Sequence, residues 1–136
     1  MPDTTGGKMG TRAQPSKTAI GVDIIEINRI KRAISRWQDS FLRRIYTPAE
    51  LENHRNVSSL AVRFAAKEAV MKALGTGTRG VSWTDIEIVT NGDGAPLIRL
   101  HGRALQKSEE IGLARFDVSL SHSRKYAIAF VIGHAK

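Results

Sequence analysis

The segment that most constrains the fold runs from Leu60 to Gly77 and has the pattern of a long helix. At about 100° per residue, one apolar stripe follows it, formed by Leu60, Ala61, Phe64, Ala65 and Met71. Glu68 falls near the middle of this stripe, and Lys72 lies one turn further along. A buried charge is costly unless it is paired or binds a metal. The helix therefore predicts either a functional carboxylate or a solvated i,i+4 pair worth about 0.2–0.5 kcal/mol.

A second carboxylate lies where an apolar residue is expected. The β-branched run from Ile20 to Ile25 predicts a buried strand, and Asp23 interrupts it. Mg²⁺ typically takes one or two carboxylates, keeps water and uses substrate phosphates as further ligands. Asp23 and Glu68 are therefore candidate metal ligands. The alternative is a pair of partly buried acids neutralised by lysine or arginine.

Several polar groups near these acids are candidates for phosphate contacts. Arg63 and Lys67 lie about 40° apart on the predicted helix, and with Lys72 they predict a cationic wall beside the carboxylates. The segment 75–77, Gly-Thr-Gly, predicts backbone N–H groups open to a phosphate or ribose. His122 closes an alternating strand between two serines and is a further candidate. In each case the alternative is structural: a solvated helix face, a helix cap or a satisfied histidine.

The composition limits the class of protein and the possible partners. A chain of 136 residues predicts one domain, and the absence of cysteine excludes disulfides and thiolate chemistry. We find no apolar run long enough for a membrane helix and no signal peptide, so we expect a cytoplasmic protein. The net charge of +8 predicts an anionic partner: nucleic acid, a membrane or an acidic protein.

A basic nucleic-acid-binding or ribosome-associated module stays as an alternative function, although the 6% aromatic content disfavours base stacking of the RNA-recognition type. A metal-dependent phosphatase or nuclease would need more carboxylates.

The order of elements predicts an α+β fold, with helices early and strands late. We expect strands at about 19–25, 85–89, 96–100, 115–121 and 126–132, and a helix at 102–111. Trp37 and Phe41 are expected in the core. Thr47 is expected to cap a short helix, and Ser58 or Ser59 to cap the long one, which Gly75 would end.

Three segments resemble, in order, the signatures of the holo-acyl-carrier-protein synthases, the small bacterial 4′-phosphopantetheinyl transferases. They are Gly21–Glu26, with a glycine, an aspartate and a glutamate among apolar residues; Arg63–Ala73, which reads RFAAKEAVMKA and precedes the Gly-Thr-Gly segment; and Ser119–Ser123, which reads SLSHS. The resemblance covers about residues 19–133. Residues 1–18 have no counterpart and are interpreted as a disordered extension or an expression remnant, leaving 19–136 as the transferase domain.

This resemblance implies the transferase fold, an antiparallel sheet with a long central helix. It also implies the reaction: a serine hydroxyl of apo acyl carrier protein attacks the coenzyme A phosphorus that bears the pantetheine arm. The products are holo-carrier protein, for fatty acid biosynthesis, and adenosine 3′,5′-bisphosphate. The implied cofactor is Mg²⁺, with coenzyme A as co-substrate. The partner is an acidic carrier protein or carrier domain, and the family's homotrimers carry the active site at the subunit interface.

The residue assignments that follow are expectations. Asp23 and Glu68 would bind Mg²⁺, Glu68 would act as or orient the general base, and Lys72 would contact the leaving phosphate. The residues expected to bind coenzyme A are Arg63, Lys67, Gly75, Thr76, Gly77, His122 and Ser123, with His122 near the 3′-phosphate. One helix face is expected to dock the acidic carrier protein, and it carries Arg29, Arg32 and Arg36.

Overall fold

The computed structural model describes residues 17–135. Its elements, in chain order, are β1 (Thr18–Glu26), α1 (Ile27–Trp37), α2 (Asp39–Ile45), α3 (Pro48–Asn53), α4 (Val57–Leu74), a short 3₁₀ helix (Trp83–Asp85), β2 (Ile86–Thr90), β3 (Pro96–Leu100), α5 (Gly102–Glu110), β4 (Leu113–His122) and β5 (Tyr126–Ala135). The interpretation of residues 1–18 as an extension lies, up to residue 16, outside the described residues. Strand β1 already begins at Thr18.

The strands form two antiparallel sheets, and the α+β prediction is confirmed. β1, β5 and β4 pair in that order, so β5 is the central strand. β2 and β3 form a separate hairpin, closed by the predicted turn at residues 91–94. Helix α4 packs across one face of the three-stranded sheet and supplies much of the core. Within residues 17–135, no helix is both long and apolar enough to cross a bilayer.

Strand β1 crosses α4 at a point where only glycine fits. A Cβ atom on Gly21 would lie 1.8 Å from the carbonyl oxygen of Ala69 and 3.2 Å from the backbone nitrogen of Ala73. Side chains two residues apart in a strand share one face of the sheet. This crossing therefore also directs Asp23 towards α4, which carries Glu68 and Lys72.

Helix α4 is capped at both ends and buried on nearly all sides. The Asn56 side chain accepts a hydrogen bond from the Ser59 N–H, so the prediction of Ser58 or Ser59 as N-cap was wrong. Gly75 ends the helix in the left-handed conformation, as predicted. Between Leu60 and Leu74, Glu68 and Lys72 are the two residues that are not buried.

The end of α1 corrects one core assignment. Gln38 adopts a φ of +48°, which separates α1 from α2. Trp37 lies at this break and is 55% exposed, so its assignment to the core was wrong. The Arg36 guanidinium lies 4.9 Å from the centre of the Trp37 ring. Phe41 packs against the core as expected, and the predicted capping box of Thr47 and Glu50 is present.

Candidate active site

The centre of the candidate site is a pair of carboxylates contributed by two packed elements. Asp23 comes from β1 and Glu68 from α4, and their carboxyl groups lie close enough for Asp23 to raise the pKa of Glu68. The Asp23 side chain is 13% exposed. Its Oδ1 accepts a hydrogen bond from Lys72 Nζ at 3.1 Å, and Lys72 Nζ also donates to the Val22 carbonyl at 2.9 Å. Among the described residues, Asp23 Oδ2 is buried without a hydrogen-bond partner.

The negative charge of Asp23 disfavours the ionisation of Glu68. Burial and, next, the negative charge of Asp23 raise the pKa of Glu68 from 4.5 to about 7. The positive charges of Arg29 and Lys72 oppose this rise. Glu68 therefore titrates near neutral pH against the repulsion from Asp23. A cation bound between the two groups would remove this repulsion.

This donor set fits a magnesium ion. Asp23 and Glu68 supply two hard oxygen ligands. The Asp23 Oδ2 atom, which has no hydrogen-bond partner among the described residues, is available to bind a cation. Within residues 17–135, no cluster of three or more His, Cys, Asp or Glu side chains could enclose a metal. A site with two protein ligands leaves its remaining positions to water and to substrate phosphates, as Mg²⁺ sites commonly do.

The predicted cationic wall is not formed within one chain, which corrects the sequence prediction for Lys67. Lys67 lies about 100° around α4 from Glu68, and its side chain is fully buried against Glu50 at 2.8 Å. Its Nζ also donates to the carbonyl groups of Trp83, at 3.1 Å, and Ile86. Burial lowers the pKa of Lys67, and the charge of Glu50 opposes that effect. Lys67 therefore joins α4 to α3 and β2 and does not reach the open side of Glu68.

Arg63 is also turned towards the β2 hairpin. Its Nε donates to the Ile88 carbonyl at 3.2 Å, and its Nη1 donates to the Ser59 hydroxyl at 2.9 Å. Its Nη2 lies 2.9 Å from His54 Nε2, and burial together with the Arg63 charge lowers the pKa of His54. His54 is thus held neutral and able to accept this hydrogen bond. Arg63 is 5% exposed, so little of this residue is open to a ligand.

Sequence reasoning missed a buried polar network behind the site. Glu50 is 1% exposed and accepts hydrogen bonds from the backbone N–H groups of Thr47 and Ile88, each at 2.9 Å. The Thr47 hydroxyl in turn donates to Glu87 at 2.6 Å. The sequence signal for Glu50 was its place in the capping box. That motif, however, is equally common on exposed helices, so it could not indicate a buried partner for Lys67.

The Gly-Thr-Gly segment is mainly a helix cap. The N–H groups of Gly75 and Thr76 donate to the carbonyls of Lys72 and Met71, both at 3.1 Å. The expectation that both donors are open was therefore wrong. Gly77 adopts a φ of +62° and, like Gly75, has open space where a Cβ atom would lie, so a ligand can approach the backbone closely at both glycines.

His122 and Ser123 lie away from the carboxylate pair. In the sheet register His122 pairs with Ala127, which pairs with Ile25, so His122 is two strands from β1. Two strand spacings correspond to roughly 10 Å. The Ser123 hydroxyl accepts hydrogen bonds from the backbone of Lys125 and Tyr126 and so shapes the β4–β5 turn. One chain therefore does not bring His122 into contact with Asp23 or Glu68.

The three arginines of α1 lie on one exposed face, as their spacing predicted. Arg29 begins this face and is near enough to Glu68 to lower its pKa. Arg32 follows at mid-helix, and Arg36 ends the face beside the exposed Trp37. The carboxylate pair thus lies at one end of a basic surface.

Comparison with known proteins gives consistent results. Residues 19–131 match the family model of the 4′-phosphopantetheinyl transferase superfamily. A holo-[acyl-carrier-protein] synthase of Herpetosiphon aurantiacus is 50% identical over 121 residues, covering 83% of this chain and 95% of the relative. The Neisseria meningitidis holo-[acyl-carrier-protein] synthase structure superposes with a TM-score of 0.76 at 41% identity, covering 85% and 96% of the two chains. The Helicobacter pylori enzyme, solved in complex with coenzyme A, gives a TM-score of 0.74 at 36% identity, covering 84% and 98%.

These matches cover nearly all of the described chain. They do not support the alternative of a basic nucleic-acid-binding or ribosome-associated module. The order and spacing of the three sequence signatures, the sheet with its central helix and the matched relatives all agree. The chain belongs to the 4′-phosphopantetheinyl transferase superfamily.

Proposed function

We propose that this protein is a holo-[acyl-carrier-protein] synthase, which transfers 4′-phosphopantetheine from coenzyme A to a serine of apo acyl carrier protein. The observation that carries the proposal is the contact between the Asp23 and Glu68 carboxyls in a chain of this superfamily. The other product is adenosine 3′,5′-bisphosphate, and the role of the holo-carrier protein is in fatty acid biosynthesis.

Asp23 and Glu68 are proposed to hold the divalent cation. Held by these two residues, Mg²⁺ would supply positive charge to stabilise the charge that develops on phosphate, as in phosphoryl transfer generally. Glu68 is proposed to accept the serine proton as a general base, directly or through a water molecule. Lys72, 56% exposed, is long enough to donate to the leaving phosphate.

Coenzyme A is proposed to extend from this centre towards the Gly-Thr-Gly segment. Gly77 offers a close backbone approach, and Arg63, although little of it is exposed, stays a candidate contact. Lys67 does not bind coenzyme A directly in this proposal, because its ammonium group is enclosed by Glu50 and two backbone carbonyls. We assign the 3′-phosphate to His122 and Ser123. The His122→Ala variant should then lose part of its preference for coenzyme A over dephospho-coenzyme A, and an unchanged ratio of kcat/KM values would exclude this contact.

A homotrimer is proposed as the working assembly. On the sheet face turned away from α4, strands β1 and β5 expose six large apolar side chains: Ile20, Val22, Ile24, Tyr126, Ile128 and Phe130. The register places Val22 beside Phe130 and Ile24 beside Ile128, so these side chains form one continuous patch. Monomers rarely expose such a patch, and other copies of this chain are the occupants that family resemblance implies. An assembly of this kind would also let His122 of one copy approach the carboxylates of another.

The oligomer is tested by light scattering coupled to gel filtration. Val22→Glu and Phe130→Glu should reduce the particle mass to that of one chain and reduce activity with it. A wild-type chain that elutes as a monomer at micromolar concentration would contradict the proposed assembly. A cytoplasmic location remains a prediction from the sequence.

Carrier docking is proposed on the exposed arginine face of α1. Arg32→Glu/Arg36→Glu should lower kcat/KM for the carrier protein while leaving coenzyme A binding unchanged, because both side chains lie beyond the carboxylate pair. Added salt should weaken wild-type docking more than docking of the variant, since charges more than about 8–10 Å apart are screened at physiological ionic strength. Equal values and equal salt slopes would mean that the carrier docks elsewhere.

The transfer itself is tested by mass spectrometry. Incubation of an apo carrier protein with coenzyme A, Mg²⁺ and this enzyme should add the mass of one phosphopantetheine to the carrier protein. Asp23→Ala, Glu68→Ala and excess chelator should each abolish the product while circular dichroism stays unchanged. Full activity of wild type in EDTA would refute the metal assignment, and no modified carrier under any condition would refute the transfer.

A further inference from the structure

We propose that Lys72 is an internal placeholder for the metal ion: its ammonium group neutralises Asp23 in the metal-free chain and leaves Asp23 when a divalent cation binds. This inference rests on the proposed metal site of Asp23 and Glu68. It concerns the state that precedes substrate binding, and it assigns to Lys72 a position that changes during the catalytic cycle.

The geometry around Asp23 explains why a placeholder is needed. The Asp23 side chain is 13% exposed, so water alone solvates its charge poorly, and it contacts a second carboxyl group from Glu68. An isolated carboxylate in such a place is costly. The Lys72 ammonium lies 3.1 Å from Asp23 Oδ1. Among residues 17–135, it is the one positively charged group that forms a hydrogen bond with Asp23.

The Lys72 side chain is also free to leave. It is 56% exposed, and one of its two hydrogen bonds goes to the Val22 carbonyl at 2.9 Å, an acceptor that water can satisfy after release. Lys67 provides the contrast on the same helix. It is fully buried and bound to Glu50 and two carbonyls, so it is fixed in place.

Metal binding and the Lys72 contact compete for the same negative charge. A magnesium ion binds a carboxylate oxygen at about 2.0–2.1 Å, and an ammonium group hydrogen-bonded to that carboxylate would be repelled by the ion. The displaced ammonium would then be available for an anionic substrate group. Metal binding would thereby prepare the chain for the phosphates of coenzyme A, because one cation enters the site and another is released beside it.

The inference is tested by metal binding alone, without coenzyme A or carrier protein. Mn²⁺ serves as the probe, and its free fraction is measured by electron paramagnetic resonance. Removal of a competing ion pair of this exposure, worth about 1 kcal/mol, corresponds to roughly fivefold tighter binding. Lys72→Met should therefore bind Mn²⁺ about fivefold more tightly than wild type. Lys72→Arg, which retains the ion pair, should bind like wild type.

Arg29→Met is the matched control for simple charge removal. Arg29 lowers the pKa of Glu68 more than Lys72 does, yet it makes no hydrogen bond to Asp23 in the structure. If the effect were only the loss of a nearby positive charge, Arg29→Met would increase Mn²⁺ affinity at least as much as Lys72→Met. The placeholder predicts a clearly larger increase for Lys72→Met, and an equal or smaller one would overturn it.

A second measurement follows Lys72 in the unmodified enzyme. Brief acylation of lysine amines, read by mass spectrometry, should modify Lys72 several-fold faster with Mg²⁺ than with EDTA, while Lys67 should stay unmodified in both. An unchanged rate at Lys72 would mean that the ion binds at Oδ2 and leaves the ion pair intact, which refutes the placeholder. Asp23→Asn separates the two proposals: if it binds Mn²⁺ like wild type, the metal site itself is wrong.

Discussion

Replacing Glu68 by glutamine should make the metal-free chain more stable at alkaline pH. Burial and the adjacent Asp23 raise the pKa of Glu68 from 4.5 to about 7 in the folded chain. At 1.36 kcal/mol per pKa unit, that rise corresponds to at most about 3.4 kcal/mol of destabilisation when Glu68 is ionised. Because Glu68 is only half-buried, we discount this to about 1–2 kcal/mol for solvent screening.

The sign and the pH window follow from the direction of the change. When the pKa of a carboxyl group is higher in the folded chain than in the unfolded chain, the folded chain becomes less stable as the pH rises. The penalty is absent below pH 4.5, grows up to about pH 7 and is complete above that value. Glutamine resembles the neutral acid and can still donate to Asp23. The free energy of unfolding of Glu68→Gln should therefore match that of wild type at about pH 5. At about pH 8 it should exceed the wild-type value by about 1–2 kcal/mol, which corresponds to about 4–8 °C in Tm.

The assay is thermal or urea unfolding in EDTA at the two pH values. Glu109→Gln, on the exposed side of α5, is the matched control and should change stability by no more than about 0.5 kcal/mol at either pH. Added Mg²⁺ should stabilise wild type through binding to the folded state and should stabilise Glu68→Gln much less. A Glu68→Gln variant that is no more stable than wild type near about pH 8 would refute the claim that the two carboxylates repel each other.

Two further predictions concern the framework of the site. Gly21→Ala places a Cβ atom 1.8 Å from an α4 carbonyl oxygen, so it should lower the free energy of unfolding by more than about 3 kcal/mol. Gly92→Ala, at a position with open space, is the control and should be nearly neutral. Equal urea midpoints for the two variants would contradict the close crossing of β1 and α4. Lys67→Met leaves Glu50 charged and buried and should cost about 3–5 kcal/mol, while Lys67→Met/Glu50→Gln should recover most of that loss. If Lys67→Met instead raises the KM for coenzyme A at unchanged stability, Lys67 binds the ligand after all.

The sequence predicted most of the architecture because its local signals were unambiguous. The Asn-Gly-Asp-Gly turn predicted the β2–β3 hairpin, and the β2 bounds moved by only one residue. The capping box at Thr47 and the terminal Gly75 set helix ends correctly. The predicted N-cap of α4 was two or three residues too late, because asparagine and serine are both good caps. Trp37 was misplaced because periodicity does not reveal that the helix is interrupted at Gln38.

The candidate site was predicted less evenly, and the contrast between Glu68 and Lys67 shows why. Both are charged residues on a helix that is almost entirely buried, but the apolar stripe in the sequence marked only Glu68 as an exception. Their distant partners distinguish them, and those are set by tertiary packing. Lys67 meets the opposite charge of Glu50 and several acceptors, so its burial is satisfied and it stabilises the fold. Glu68 meets the like charge of Asp23, so its position is satisfied only by a proton or a cation. A buried charge beside its opposite therefore indicates structure, whereas a half-buried charge beside its like indicates a ligand that the folded chain still requires.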